Sequence, residues 1–203
     1  DTQECFERLE RKLRAIVPEC AFERRWSGQV IESVDGLPYI GEVGDGQFLA
    51  TGFAGNGMTF GTLAGMMARD AVTGAKNPWS DLFAVERKTL SAAWDYVREN
   101  SDYPYYLAKG HLAGAESGVL ARLEFGEGKL ACLDGHKVAA YRDGAGRTHV
   151  LSAICPHMGC VVAWNEAERT WDCPCHGSRF TATGEVMNGP AEKGLERLST
   201  PHD

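Results

Sequence analysis

Four of the seven cysteines in this 203-residue chain lie in two six-residue segments, Cys155-Pro156-His157-Met158-Gly159-Cys160 and Cys173-Pro174-Cys175-His176-Gly177-Ser178, with twelve residues between them. Each segment sets a thiolate beside an imidazole, as C-x-H at Cys155 and His157 and as C-x-x-H at Cys173 and His176, so that one turn can aim both at a single centre. This pattern restricts the fold more than anything else in the sequence, because two separate loops must be brought together and held. The other cysteines, Cys5, Cys20 and Cys132, are scattered. That points to a local site and away from a chain-wide disulfide framework. Structural zinc takes the same residue types, but its usual spacing sets cysteine with cysteine and histidine with histidine, and a Gly177-Ser178 tail serves no purpose there.

The surroundings of the pair read as β. From Val119 the chain runs in short stretches with period-two alternation, broken by Gly126-Glu127-Gly128, Asp134-Gly135, Asp143-Gly144 and Thr183-Gly184. These predict strands over 120–125, 129–133, 136–142, 148–153, 161–165 and 170–172. Upstream, residues 5–17 carry Phe6, Leu9, Leu13 and Ile16 on one helical stripe that stops at Pro18. Residues 26–31 look strand-like, Asp35-Gly36-Leu37-Pro38 is turn chemistry, and 47–53 reads as a buried strand entering the Gly55-Asn56-Gly57 turn. A helix is expected over 59–72, ending at Gly74, and Trp79-Ser80-Asp81 can open another running through Leu90 and Trp94 to about Glu99. Residues 101–118, aperiodic and rich in tyrosine and glycine, read as a linker or wrapping segment. The expected fold class is α+β. Helices and short strands fill 1–100, a linker 101–118, and an all-β domain of antiparallel sheets 119–203.

The two cysteine-histidine segments closely resemble those of the Rieske iron-sulfur family. In that family two cysteines hold one iron of a [2Fe-2S] cluster and two histidines hold the other. The resemblance implies Cys155 and Cys173 on the inner iron, and His157 and His176 on the outer iron, with the histidine edge as the electron port. It also implies a Cys160 to Cys175 disulfide joining the loops, as in the Rieske proteins of cytochrome bc complexes, and a Ser178 hydroxyl donated to a bridging sulfide. Phe180 stands where high-potential members carry a tyrosine that donates to a ligating sulfur, so a potential below that of typical cytochrome bc members is expected. Asn188-Gly189-Pro190-Ala191 resembles the family's proline loop over the cluster. A Rieske oxygenase would need a second iron on two histidines and a carboxylate. His111, His136, His149 and His202 are too far apart in sequence for such a triad and read as surface or packing residues.

Three earlier phrases resemble the C-terminal part of FAD-dependent oxidoreductases of the D-amino-acid oxidase and glycine oxidase superfamily. They are Arg25-Trp26-Ser27-Gly28-Gln29, Asp35-Gly36-Leu37-Pro38-Tyr39-Ile40-Gly41, and the run from Ala50 through Gly55-Asn56-Gly57 to Thr59. In those enzymes the glycine turn and the helix after it pass beside the flavin and stabilise negative charge on its ring. The implied flavin-side residues are Gly55, Asn56, Gly57, Met58 and Thr59, flanked by Gly36, Leu37 and Pro38, with Arg24, Arg25 and Trp26 as weaker candidates near the substrate. No G-x-G-x-x-G occurs in the sequence, so the unit that would grip the ADP part of FAD is missing. FAD is expected only in a longer parent protein, and the chain reads as a fragment that is not expected to turn over alone.

Net charge is -7, from 21 Lys and Arg against 28 Asp and Glu. That balance excludes a counterion-release grip on nucleic acid and attraction to an anionic membrane surface. Residues 49–68 carry no charge, but five glycines and three threonines dilute the run too far for a membrane span. With no basic-then-apolar opening, the cytoplasm is the expected location. The leading expectation is an oxidoreductase whose cluster relays single electrons between flavin and an external redox partner. The alternative is a cluster-stabilised binding or redox-sensing module without turnover.

Overall fold

The chain's periodicities resolve into two units in a computed structural model that describes residues 2–87, 98 and 100–199. One unit is Gly28–Ser101, and the other combines Asp1–Ser27 with Asp102–Asp203. In the latter, α1 (Thr2–Ile16) carries the expected apolar stripe but buries none of it, with Leu9 and Ile16 at 64% and 78% exposed. Residues 26–31 do not form the expected strand. Ser27 N–H donates to Glu168 and its carbonyl accepts from Arg179, so its backbone groups are satisfied by side chains instead of a ladder.

In the Gly28–Ser101 unit, β1 (Tyr39–Gly44) and β2 (Gln47–Thr51) form an antiparallel hairpin. The strand expected to be buried over 47–53 ends at Thr51 and has no fully buried residue, because a two-stranded sheet has only one face to cover. α2 (Gly57–Thr73) follows and stops at Gly74, which takes the left-handed φ of 70° that closes a helix without side-chain strain. The charge-free run is thus split between β2 and α2. Among the described residues no helix is long and apolar enough to cross a membrane. α3 (Ser80–Phe83) ends at Ala84, whose ψ of 139° is extended. The single helix expected from Trp79 to about Glu99 is therefore broken, since residues 84–87 are not helical, and its remainder at 88–97 and 99 lies outside the described residues. Ile40, Ala64, Met67 and Phe83 make the core, with Phe48, Phe53 and Phe60 against it.

One guanidinium ties this unit's turn to the end of α3. Arg87 Nε and Nη2 each reach the Asp35 carboxylate at 2.7 Å, with the side chains only 7% and 10% exposed. Arg87 also donates to the carbonyls of Leu37, Pro38 and Phe83 and lies 4.0 Å over the Tyr39 ring.

In the second unit, α4 (Asp102–Leu112) occupies the segment expected to be a linker. Its packing face consists of Tyr103, Leu107 and Gly110 instead of an aliphatic stripe, which is why helical periodicity is hard to see in the sequence. A 3-10 turn at Val119–Arg122 replaces the strand expected over 120–125. Gly118, at φ 77°, turns the chain, and Val119 and Leu123, four residues apart, bury together with Ala131 and Val138. Helical spacing overrides alternation there.

Two four-stranded sheets follow. β3 (Glu116–Ser117), β4 (Gly128–Leu133), β5 (His136–Arg142) and β6 (Thr148–Ser152) form one, antiparallel except for the two-residue parallel β3 pairing. β7 (Ala163–Asn165), β8 (Thr170–Asp172), β9 (Arg179–Thr181) and β10 (Val186–Asn188) form the other. Asp134 and Gly135, both at positive φ, make the two-residue hairpin between β4 and β5. β5 alternates between two cores. Val138 and Ala140 join Val119, Leu123 and Val150, while Ala139 joins Leu151, Trp171, Phe180 and the buried Cys155, Cys160 and Cys173. The cysteine loops therefore stand on the second, larger core.

The hydrogen bond from Arg87 holds the Asp35 carboxyl down at about 2, against the opposing effect of burial. A folded value below the unfolded one, about 3.9, stabilises the chain above the unfolded value, and the stabilisation is lost as pH falls through about 2. The difference is worth on the order of 2 kcal/mol. Asp35→Asn should lower the urea midpoint near neutral pH, with the gap to wild type closing as pH approaches about 2; a gap that does not depend on pH would contradict this.

Candidate metal centre

The first cysteine loop joins β6 to β7 and the second joins β8 to β9. In the first, Cys155 N–H donates to Cys160 O at 2.8 Å and Gly159 N–H to Cys155 O at 3.0 Å. In the second, Cys173 N–H donates to Ser178 O at 2.8 Å and Gly177 N–H to Cys173 O at 3.0 Å. The same two bonds close both loops, each with proline second and glycine fifth. Gly159 and Gly177 take φ of 78° and 75°, which side chains adopt only at a cost. One backbone motif is thus used twice. His157 leaves it from the third position and His176 from the fourth.

The motif brings the four predicted ligands together. Cys155 and Cys173 are buried, with their thiols in hydrogen-bond contact. A hydrogen bond from Cys173 pulls the Cys155 thiol down to about 6 against the effect of burial, while the same contact pushes Cys173 up. Loop donors reach both sulfurs: the His157 amide and the Ser178 hydroxyl at Cys155, the Cys175 and His176 amides at Cys173. Such donors favour thiolate. The His157 and His176 rings lie 4.9 Å apart with planes at 86°. His157 is exposed and His176 half-buried. Burial, with His157 adding to it, holds the His176 imidazole below its ordinary value and so neutral, the form that can ligate. His176 Nδ1 is buried with no hydrogen-bond partner among the described residues.

Around this set, a Cys160–Cys175 disulfide with a Cα separation of 6.5 Å joins the loops. Its sulfurs lie within 4.8 Å of the Cys173 sulfur, but as an oxidised pair they brace the site and offer no thiolate. Ser178 is fully buried and accepts the Ala191 N–H at 3.0 Å, which ties the Asn188-Gly189-Pro190-Ala191 segment to the second loop. Phe180 is fully buried in the same core as Cys155 and Cys173.

The expected flavin-side residues also fall in one place. Gly55, at φ 79°, and Asn56 lead into α2, Asn56 makes no side-chain cap, and Met58 is 90% exposed. Gly52 is buried at φ 76°, where a side chain would meet Ser33 and Pro38, so the Asp35–Pro38 turn packs beside the same segment. Trp26 is exposed, and Arg25 pairs with Glu10 at 2.5 Å.

Sequence reasoning misses two residues at the metal centre. Tyr103 on α4 donates its hydroxyl to Met158 O at 3.0 Å, with its ring 5.2 Å from that of His176. His111 Nε2 hydrogen-bonds Gly159 O at 2.9 Å. The signal in the sequence is the i, i+4, i+8 spacing of Tyr103, Leu107 and His111. Of the other histidines set aside, His136 is exposed, His149 pairs with Asp143 at 2.9 Å, and His202 lies outside the described residues.

Residues 118–199 match the Rieske [2Fe-2S] domain family, and residues 1–71 match the FAD dependent oxidoreductase family. A protein of Bacillus subtilis (strain 168) named as a Rieske 2Fe-2S iron-sulfur protein, YhfW, is 37% identical over 177 residues, covering 85% of this chain and 35% of that one. The cytochrome b6-f complex iron-sulfur subunit of Synechococcus elongatus is 33% identical over 167 residues, covering 80% of this chain and 81% of that subunit. The corresponding subunit of Synechococcus sp. (strain JA-3-3Ab) is 48% identical over 61 residues, 30% of this chain and 36% of that one. The chain belongs to the Rieske [2Fe-2S] family, with a segment of the FAD dependent oxidoreductase family ahead of its Rieske domain. It spans about a third of the length of the Bacillus and JA-3-3Ab relatives. The Rieske domain implies a [2Fe-2S] cluster, and the other segment implies FAD in a parent protein. Two buried thiols, a buried imidazole nitrogen without a partner and a second, exposed imidazole are a donor set that fits the cluster.

Iodoacetamide in denaturant without reductant should label the five cysteines outside the bridge, Cys5, Cys20, Cys132, Cys155 and Cys173, and all seven after reduction. Labelling of all seven without reductant would contradict the bridge.

Proposed function

We propose that this chain is the electron-relay end of a FAD-dependent oxidoreductase, in which Cys155 and Cys173 hold the inner iron of a [2Fe-2S] cluster and His157 and His176 hold the outer one. The observation that supports it most is the meeting of two buried thiols with a histidine pair, one ring exposed and the other with a partnerless Nδ1. When bound, the cluster supplies one-electron chemistry. The chain's own residues supply the setting. Amide and hydroxyl donors hold thiolate charge inside an apolar core. His157 presents an imidazole edge to a partner, and the disulfide with its matched loop bonds limits rearrangement as charge changes. Phe180 places hydrocarbon where a hydroxyl donor would stabilise the reduced state. On the flavin side, Gly55, Asn56, Gly57, Met58 and Thr59 offer an exposed helix start to negative charge on the ring. FAD would be gripped by the parent protein, and the external partner is a one-electron redox protein.

The relay is tested by anaerobic rapid mixing of the full-length parent protein with an amine donor. Bleaching of the cluster's visible absorption should follow flavin reduction; bleaching no faster with the donor than without it would overturn the relay. Phe180→Tyr should raise the midpoint in protein-film voltammetry, since a hydroxyl donated to a ligating sulfur favours the more negative reduced form. An unchanged or lowered midpoint would contradict the role given to Phe180.

A further inference from the structure

We infer that α4 caps one side of the histidine pair, with Tyr103 positioning His176 and leaving His157 as the face offered to an electron partner. This rests on the ligand assignment proposed above. The Tyr103 ring lies 5.2 Å from the His176 ring with planes 36° apart, and its hydroxyl donates to Met158 O at 3.0 Å. Eight residues on, His111 hydrogen-bonds the next carbonyl, Gly159 O, at 2.9 Å. One helix therefore touches both loops, as the disulfide does, but through different atoms.

The helix is itself held at several points. Tyr103 and Leu107 lie against the core that contains Cys155 and Cys173. Gly110 comes so close to Val161 that a Cβ would stand 3.0 Å from its side chain. Lys137 Nζ donates to the Gly110 and Ala113 carbonyls, closing the helix end. A passive linker needs none of these contacts. Their result is an asymmetry, with His157 exposed and His176 half-buried beneath an aromatic ring.

The asymmetry has an electrostatic consequence. Reduction adds one negative charge to a site that already holds two thiolates, and water stabilises that charge better than a phenol ring does. Removing the ring should therefore favour the reduced state. Tyr103→Phe keeps the ring and loses only the bond to Met158, whereas Tyr103→Ala loses both. A role confined to stability would weaken both variants without separating their potentials.

The test is a redox titration followed by electron paramagnetic resonance on the iron-loaded chain as wild type, Tyr103→Ala and Tyr103→Phe, with iron and sulfide measured in each. Tyr103→Ala should raise the midpoint and change the signal anisotropy, and Tyr103→Phe should restore both to near wild type. Loss of iron in Tyr103→Ala with retention in Tyr103→Phe also supports the positioning role, because the ring is what the second variant restores. Equal midpoints and line shapes in all three, or the same shift in both variants, would overturn the cap. A wild-type chain without a Rieske signal would instead overturn the ligand assignment, so the two failures are distinguishable.

Discussion

Two backbone hydrogen bonds, made once in each cysteine loop, are the constraint on which the site depends. They fold six residues into a closed turn whose first residue is a buried cysteine and whose fifth must be a glycine at positive φ. Each loop is anchored on strand pairing. The first is continued by the Ile154–Val161 bridge, and the second starts and ends on the Asp172–Arg179 pair of β8 and β9. The disulfide then ties the sixth residue of one loop to the third of the other. With both ends of both loops fixed, the backbone that carries His157 and His176 is held in place, which suits a site that changes charge.

Arg179 extends that anchoring away from the cluster. It directly follows Ser178, its side chain is 7% exposed, and it is held by Asp172 at 3.0 Å and Glu168 at 2.8 Å. Glu168 and Arg179 also bond the two backbone groups of Ser27, which holds Ser27 to the β body. A buried charge network of this kind costs about 3–5 kcal/mol to break from one side. It lies immediately beneath the second loop, where such a loss would be felt by Cys173 and His176.

How much of this was readable beforehand depends on the length scale of each signal. The paired cysteine-histidine segments, the bridge and the strands β4 to β8 are local in sequence: Cys155 to Ser178 is a short stretch, and Thr170–Asp172 alternates as a strand should. The Gly74 helix stop and the Asp134-Gly135 hairpin are local in the same way, since single residues dictate their dihedrals. What sequence reasoning misses depends on packing at a distance. Tyr103 and His111 acquire a role only because Met158 and Gly159, roughly fifty positions later, present their carbonyls. The segment at 120–125 alternates like a strand, yet Val119 and Leu123 find a common core through helical spacing. The equivalence of the two loops is half legible, since both read Cys-Pro-x-x-Gly, but the histidine stands third in one and fourth in the other, and the shared closure shows in the hydrogen bonds.

The roles of Cys155, Cys173, His157 and His176 depend on whether these loops hold a Rieske cluster. The most direct measurement is iron and acid-labile sulfide analysis of the purified chain, joined to electron paramagnetic resonance after reduction. Two irons and two sulfides per chain with a Rieske-type signal are predicted. A chain that carries zinc, lacks labile sulfide and stays silent on reduction would contradict the central claim.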